Sequence, residues 1–189
     1  LGCAPWNQPQ NQPLQGENAA LTDPAIGDGE LYIGLAFSGG GMRATAFAYG
    51  MLQELQAADT GTPNGLLDNE GINGFRETFL TTNAEAYMTT SGFNPLTIAK
   101  GIAGGVNGRD TFGRYLDDTL FHNATFADIR RSHIKTWINA TDMANNTPFL
   151  FSPETFDALC SDLSKVKLSE AVAASAAFPL VFTPIVLEA

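Results

Sequence analysis

The stretch Tyr32-Ile33-Gly34-Leu35-Ala36-Phe37-Ser38-Gly39-Gly40-Gly41-Met42-Arg43-Ala44 decides how the rest of the chain is read. An apolar run of strand length, Leu31 to Phe37, meets three glycines and an arginine. A segment rich in Ala, Phe, Tyr, Met and Leu follows, and it predicts a helix from about Arg43 to Ala58. Its apolar residues at 47, 48, 51, 52 and 55 keep the helical period, which gives it a face to lay on a sheet. A strand that turns on glycine into a helix aims several backbone N–H groups at one spot, and the helix dipole makes that spot attractive to an anion. Three successive glycines remove every Cβ from the turn, so a ligand or a reacting atom can approach the backbone itself. The pattern describes an anion cradle, for a phosphate or for the oxyanion of an acyl-transfer intermediate.

Gly39-x-Gly41-x-x-Ala44 also fits the dinucleotide fingerprint, which needs an acid about 20 residues on, at the tip of a second strand. Asp59 and Asp68 stand near enough in number, but both lie in a Gly/Thr/Pro/Asn-rich stretch with no strand before them. The oxyanion reading is the better supported of the two.

Three blocks of the sequence resemble the patatin-like phospholipases. Phe37-Ser38-Gly39-Gly40-Gly41-Met42-Arg43-Ala44 resembles that family's oxyanion loop. Ile138-Asn139-Ala140-Thr141-Asp142, followed by Phe149-Leu150-Phe151-Ser152-Pro153, resembles its central strand and the neighbour of that strand. Leu168 to Pro179, with Phe182-Thr183-Pro184-Ile185 after it, resembles its Ala-Ser-x-x-x-Pro helix and the strand entry beyond. The resemblance implies an α/β fold, a three-layer sandwich with a central sheet flanked by helices. It also implies hydrolysis of a lipid or other acyl ester through an acyl-serine, with a Ser–Asp dyad and no cofactor. Gly39, Gly40 and Gly41 would supply oxyanion N–H donors. Arg43, a cation in the first helical turn where the dipole disfavours it, would fix the glycine loop or pair with one of the many acids.

The nucleophile and base of that family are not found in this sequence. No Gly-x-Ser-x-Gly elbow lies between the first helix and Phe75-Arg76-Glu77-Thr78-Phe79-Leu80, and Ser91 lacks the glycine two residues before it. Asp28-Gly29 is the only Asp-Gly pair, and it precedes the first strand. Two expectations follow. The chain is a shortened record of a patatin-like hydrolase, or it is a catalytically silent, membrane-anchored lipid-binding relative.

Other constellations are weaker. His122 and His133 are the only histidines, and neither has a spacing that suggests a triad or a metal site. Asp117-Asp118 reads as a solvated helix face, Ser38 as part of the oxyanion loop, Ser175 as a packing residue in a small-residue helix, and Cys160 as a small core residue on a helix.

Composition limits the classes of function. The 189 residues fit one domain with a real core. The 44% hydrophobic share and mean hydropathy of −0.04 are those of a soluble globular protein, and no run approaches the roughly 20 apolar residues of a membrane span. Ten basic residues against twenty acidic ones give a net charge of −10. Without a basic cluster, neither nucleic acid nor a polybasic contact with anionic lipid is expected.

Leu1-Gly2-Cys3 resembles the end of a bacterial lipoprotein signal, where the cysteine carries lipid; a chance cysteine is the alternative. The Pro/Gln/Asn-rich residues 4–15 read as an extended, flexible spacer. Residues 1–28 are therefore expected to be a tether and residues 29–189 a partial patatin-like domain, held at the cell envelope and facing the periplasm through Cys3. Further along, 75–120 reads as helices broken by Asn94-Pro95 and by Gly101 to Gly108. Thr125 reads as the cap of a short helix, Ile134 to Ala140 as a strand, and Ser152-Pro153-Glu154-Thr155 as a helix start.

Overall fold

The computed structural model describes residues 9–15, 34–38, 42–57, 74–81, 108–129, 136–177 and 185–187. These combine helices with a small two-stranded antiparallel sheet. The helices are α1 (Met42–Ala57), the π-helical α2 (Arg76–Leu80), α3 (Gly108–Leu116), α4 (Phe126–Ile129), α5 (Pro153–Ala158) and α6 (Leu168–Ser175). The α3 helix runs straight into a π-helical turn, Asp117–Phe121, and a 3-10 turn, Leu163–Lys165, precedes α6.

The strands β1 (Asn139–Asp142) and β2 (Thr147–Leu150) pair antiparallel, Asn139 opposite Leu150 and Asp142 opposite Thr147. Phe151 N–H donates to the Ile138 carbonyl at 3.0 Å, extending the contact by a step. The segments Asn139–Asp142 and Thr147–Leu150 are thus adjacent in one small sheet. The strand begins at Asn139, several residues after the predicted start at Ile134: Thr136 and Trp137 stand outside the ladder, and Trp137 is 58% exposed.

Local signals place the helices well. Ser152 Oγ accepts the Thr155 N–H at 3.3 Å, with Pro153 at the first helical position, where its missing N–H costs nothing. At α4 the cap works in reverse of the usual bond. The Asp128 carboxylate accepts from both the Thr125 N–H (2.9 Å) and its hydroxyl (3.2 Å), which is the return half of a capping box.

Two apolar clusters form among the described residues. In one, Phe126, Phe151, Phe156, Leu163, Val166 and Ala171 are buried, and Ile138, Ala140, Phe149 and Leu187 pack on them. Phe149 meets Phe151 and Phe156 edge-on at 5.2 and 6.1 Å between ring centres, the arrangement the ring quadrupoles favour. The other cluster joins α1, α2 and α3 through a run of rings. Tyr49 to Phe75 is 5.9 Å, Phe75 to Phe79 is 5.2 Å and Phe79 to Tyr115 is 5.8 Å.

That run of rings overturns the expected packing of α1. The helix itself lies where the sequence put it, but Phe47 is 72% exposed and Met51 45%. Tyr49 sits two residues, about 200°, from Phe47 around the helix. Its ring is buried against Phe75, so the face carrying Phe47 and Met51 turns outward. The predicted strand before it is also not seen over the described part: Gly34–Ser38 join no ladder and are exposed. Residues 31–33 lie outside the described residues. A three-layer sandwich is not seen among the described residues.

Candidate functional site

The helix α1 begins at Met42, one residue after Gly41, and runs for 16 residues. Its first-turn amides therefore open where the glycine cradle was expected. Gly39, Gly40 and Gly41 themselves lie outside the described residues, as do Cys3, Ser91 and His133. Ser38, on the near side of the glycines, is exposed. Arg43 is exposed in the first turn, which holds no acidic residue, and no ion pair to it occurs among the described residues. Of the two roles open to Arg43, pairing with an acid is thus not found there. Further along the helix, Ala46, Phe47, Gly50, Met51 and Glu54 line a shallow, open groove of about 680 Å³. Their spacing of three and four residues makes it one face of α1.

The geometry also brings together polar groups that the sequence did not single out. Asp117, read as a solvated residue, is only 8% exposed. It falls one turn after Gly113, on the side of α3 that meets α6; a Cβ at Gly113 would lie 3.6 Å from Glu170 Oε1. Lys167 Nζ donates to Asp117 Oδ2 at 3.0 Å and to Asn123 Oδ1 at 2.6 Å. Asp118, its neighbour in sequence, does face solvent. Nearby in sequence to Lys167, Ser169 on α6 is fully buried, and neither its hydroxyl nor Asp117 Oδ1 has a hydrogen-bond partner among the described residues. The missed signal was Gly113, four residues before Asp117. A glycine on a helix face permits another element to approach closely and covers the next turn.

Other sequence candidates have structural duties. The Asp142 carboxylate closes the four-residue loop between the strands: Oδ1 accepts the Ala144 N–H at 2.8 Å and the Asn145 N–H at 3.3 Å, and Oδ2 accepts from Asn145 Nδ2 at 2.6 Å. The Asn145 amide first, and then the two backbone N–H groups, hold this carboxyl below the usual carboxylate range. His122 ends the π-helical turn in the left-handed region, φ 50°, exposed to solvent. Ser175 is exposed at the last position of α6, where Ser169, Ala171 and Ala173 do the close packing.

Cys160 is neither helical nor buried. The α5 helix ends at Ala158, and Cys160 is exposed with φ 50°. Its N–H donates to the Asp157 carbonyl at 3.0 Å, while the Ser161 N–H donates to the Phe156 carbonyl at 2.9 Å. These two bonds form a Schellman motif, whose left-handed residue points its side chain away from the core. The helix was predicted too long because this cysteine occupies a position that glycine usually marks.

Among the described residues no group of three or more His, Cys, Asp or Glu side chains is placed to hold a metal. No helix among them is long and apolar enough to cross a membrane. Comparison with protein-family models, with curated proteins and with solved structures gave no match.

Proposed function

We propose that the chain represents a lipid acyl hydrolase of the patatin type, with Gly39, Gly40 and Gly41 as oxyanion donors and Arg43 supporting their loop. The observation that carries this reading is the start of α1 at Met42. Sixteen residues of aligned peptide dipoles begin immediately after the glycines, which is where an oxyanion would need them. The pairing of β1 with β2 at the block resembling the family's central strand is a second support. In the proposed fold these strands belong to the central sheet of a three-layer sandwich. The substrate class is a lipid or acyl ester, the chemistry needs no cofactor, and Cys3 is the lipid-bearing anchor at the cell envelope.

A second reading rests on Phe47 and Met51, which lie exposed along the groove on α1. A catalytically silent relative would use such a face for binding lipid chains. Covalent labelling of the purified chain with a fluorophosphonate probe, followed by peptide mapping, separates the two. A labelled serine supports the hydrolase and identifies its nucleophile. An unlabelled chain with a cooperative melt supports the silent relative. For the anchor, membrane fractionation of the Cys3→Ser chain expressed with a lipoprotein leader is the test, and unchanged fractionation rejects it.

A further inference from the structure

The Asn/Gln/Pro-rich segment read as a free spacer is bound to the body over residues 9–15. Gln10 N–H donates to the Val186 carbonyl at 3.1 Å, and Leu14 N–H donates to the Cys160 carbonyl at 2.8 Å. Between them the Gln12 carbonyl accepts the Asp162 N–H at 2.9 Å. Pro13 and Ser161 stand opposite each other in an antiparallel bridge. Asn11 adds a side-chain contact, its Nδ2 donating to Ser161 Oγ. Ser161 is 1% exposed, and its own hydroxyl donates to the Leu159 carbonyl at 3.0 Å.

The sequence of the segment fits this geometry residue by residue. An extended chain turns its backbone groups to alternate sides with a period of two. Residues 10, 12 and 14 use theirs toward the body. The two prolines, Pro9 and Pro13, fall on the odd positions, where the absent N–H would have faced away. That is the placement proline tolerates on an edge strand.

We propose that the turn Cys160–Asp162 and Val186 together form a strand-acceptor site, that Gln10–Leu14 of the same chain is its occupant, and that Asn11 reads the site through Ser161. The chemistry recognised is an extended segment that offers donor, acceptor and donor groups at every second residue and a carboxamide between the first two. The site fastens an N-terminal segment to the turn after α5 and to the 185–187 segment. It does not depend on whether the protein is a hydrolase or a silent relative.

Hydrogen exchange on the full chain tests the proposal, with the Asp162 N–H as reporter because that residue is itself unchanged in every variant. Leu14→Pro removes the donor to Cys160, and Asn11→Ala removes the contact to Ser161 while leaving the backbone intact. Each is expected to speed exchange at Asp162 by about tenfold, the scale of one lost hydrogen bond. The Phe151 N–H, in the other ladder, should keep its protection. Gln12→Ala, which retains the carbonyl, should leave Asp162 unchanged. An excess of a synthetic peptide spanning residues 9–15 should restore protection in the Leu14→Pro chain. Unchanged exchange at Asp162 in Asn11→Ala overturns the proposal, whatever Leu14→Pro does to the fold. Protection that grows with protein concentration in the unmodified chain overturns it too, since the occupant would then be the segment of a second copy.

Discussion

Lys167 Nζ lies 3.0 Å from Asp117 Oδ2 and 2.6 Å from Asn123 Oδ1, so one ammonium group ties the start of α6 to the turn that ends α3. The pair is lopsided, because the lysine side chain is 43% exposed and the aspartate side chain only 10%. Removing the lysine leaves a mostly buried carboxylate without its counter-charge. Removing the aspartate returns a half-exposed ammonium to water.

Lys167→Met is therefore expected to destabilise the fold by about 1–2 kcal/mol, a charged hydrogen bond reduced by solvent screening. Adding Asp117→Leu to that variant should recover part of the loss, since the stranded charge is then gone. Urea unfolding of the single and double variants measures both. Equal stability of the wild type and Lys167→Met would show that the bridge contributes nothing.

Cys160→Gly is expected to stabilise the protein by about 0.5–1 kcal/mol. Cys160 holds the left-handed position of a Schellman motif, φ 50°, where a Cβ is penalised and glycine is not. The gain is reduced by the greater freedom glycine has in the unfolded chain. Thermal melts under reducing conditions measure it, and a lower melting temperature would show that the cysteine side chain makes a contact worth more than the strain.

Local chemistry was legible in the sequence where neighbours in the chain settle the outcome. Ser152-Pro153 starts α5, α1 runs close to its predicted bounds, and Asn139-Ala140 at the end of the predicted strand do join a ladder. Long-range choices were not legible. The period of α1 showed an apolar stripe through Phe47 and Met51, but it could not weigh that stripe against one tyrosine on the other face. Tyr49 packs on Phe75, far along the chain, and Phe75 leads on through Phe79 to Tyr115. Asp117 and Asp118 were indistinguishable as letters, and only the approach of α6 across Gly113 buries one and leaves the other wet. The site reading rested on glycines that lie outside the described residues, and no recognisable nucleophile or base accompanies them in the sequence.

Asp142 should titrate below the ordinary carboxylate value of about 3.9. Its native carboxylate accepts three hydrogen bonds, the largest effect coming from the Asn145 side chain. A folded value below the unfolded one means that stability from this group is fully present above the unfolded value. It is lost as pH falls through the folded value, so the loop between β1 and β2 should loosen only below about pH 4. The Asp142 carboxyl shift, followed by NMR against pH, reports the midpoint, and in Asp142→Ala the Asn145 amide should exchange faster at neutral pH. A midpoint at or above 3.9 would contradict the turn geometry.

The orientation of α1 makes the most discriminating prediction, because the expected fold and the observed one bury opposite faces of the same helix. In a sandwich with α1 laid on a sheet, Phe47 and Met51 would be core residues, and truncating Phe47 would cost on the order of 3–5 kcal/mol. In the structure Phe47 is 72% exposed, while Tyr49 is 8% exposed and its ring lies 5.9 Å from that of Phe75. Phe47→Ser should therefore change stability by no more than about 0.5 kcal/mol, as surface substitutions do. Tyr49→Ala should cost about 3 kcal/mol or more, since it opens a cavity and ends the run of rings that reaches Tyr115. Chemical unfolding of the two variants side by side gives the answer. A larger loss for Phe47→Ser than for Tyr49→Ala would mean that the helix packs by its Phe47 face, and the sheet expected beneath it would then have to exist.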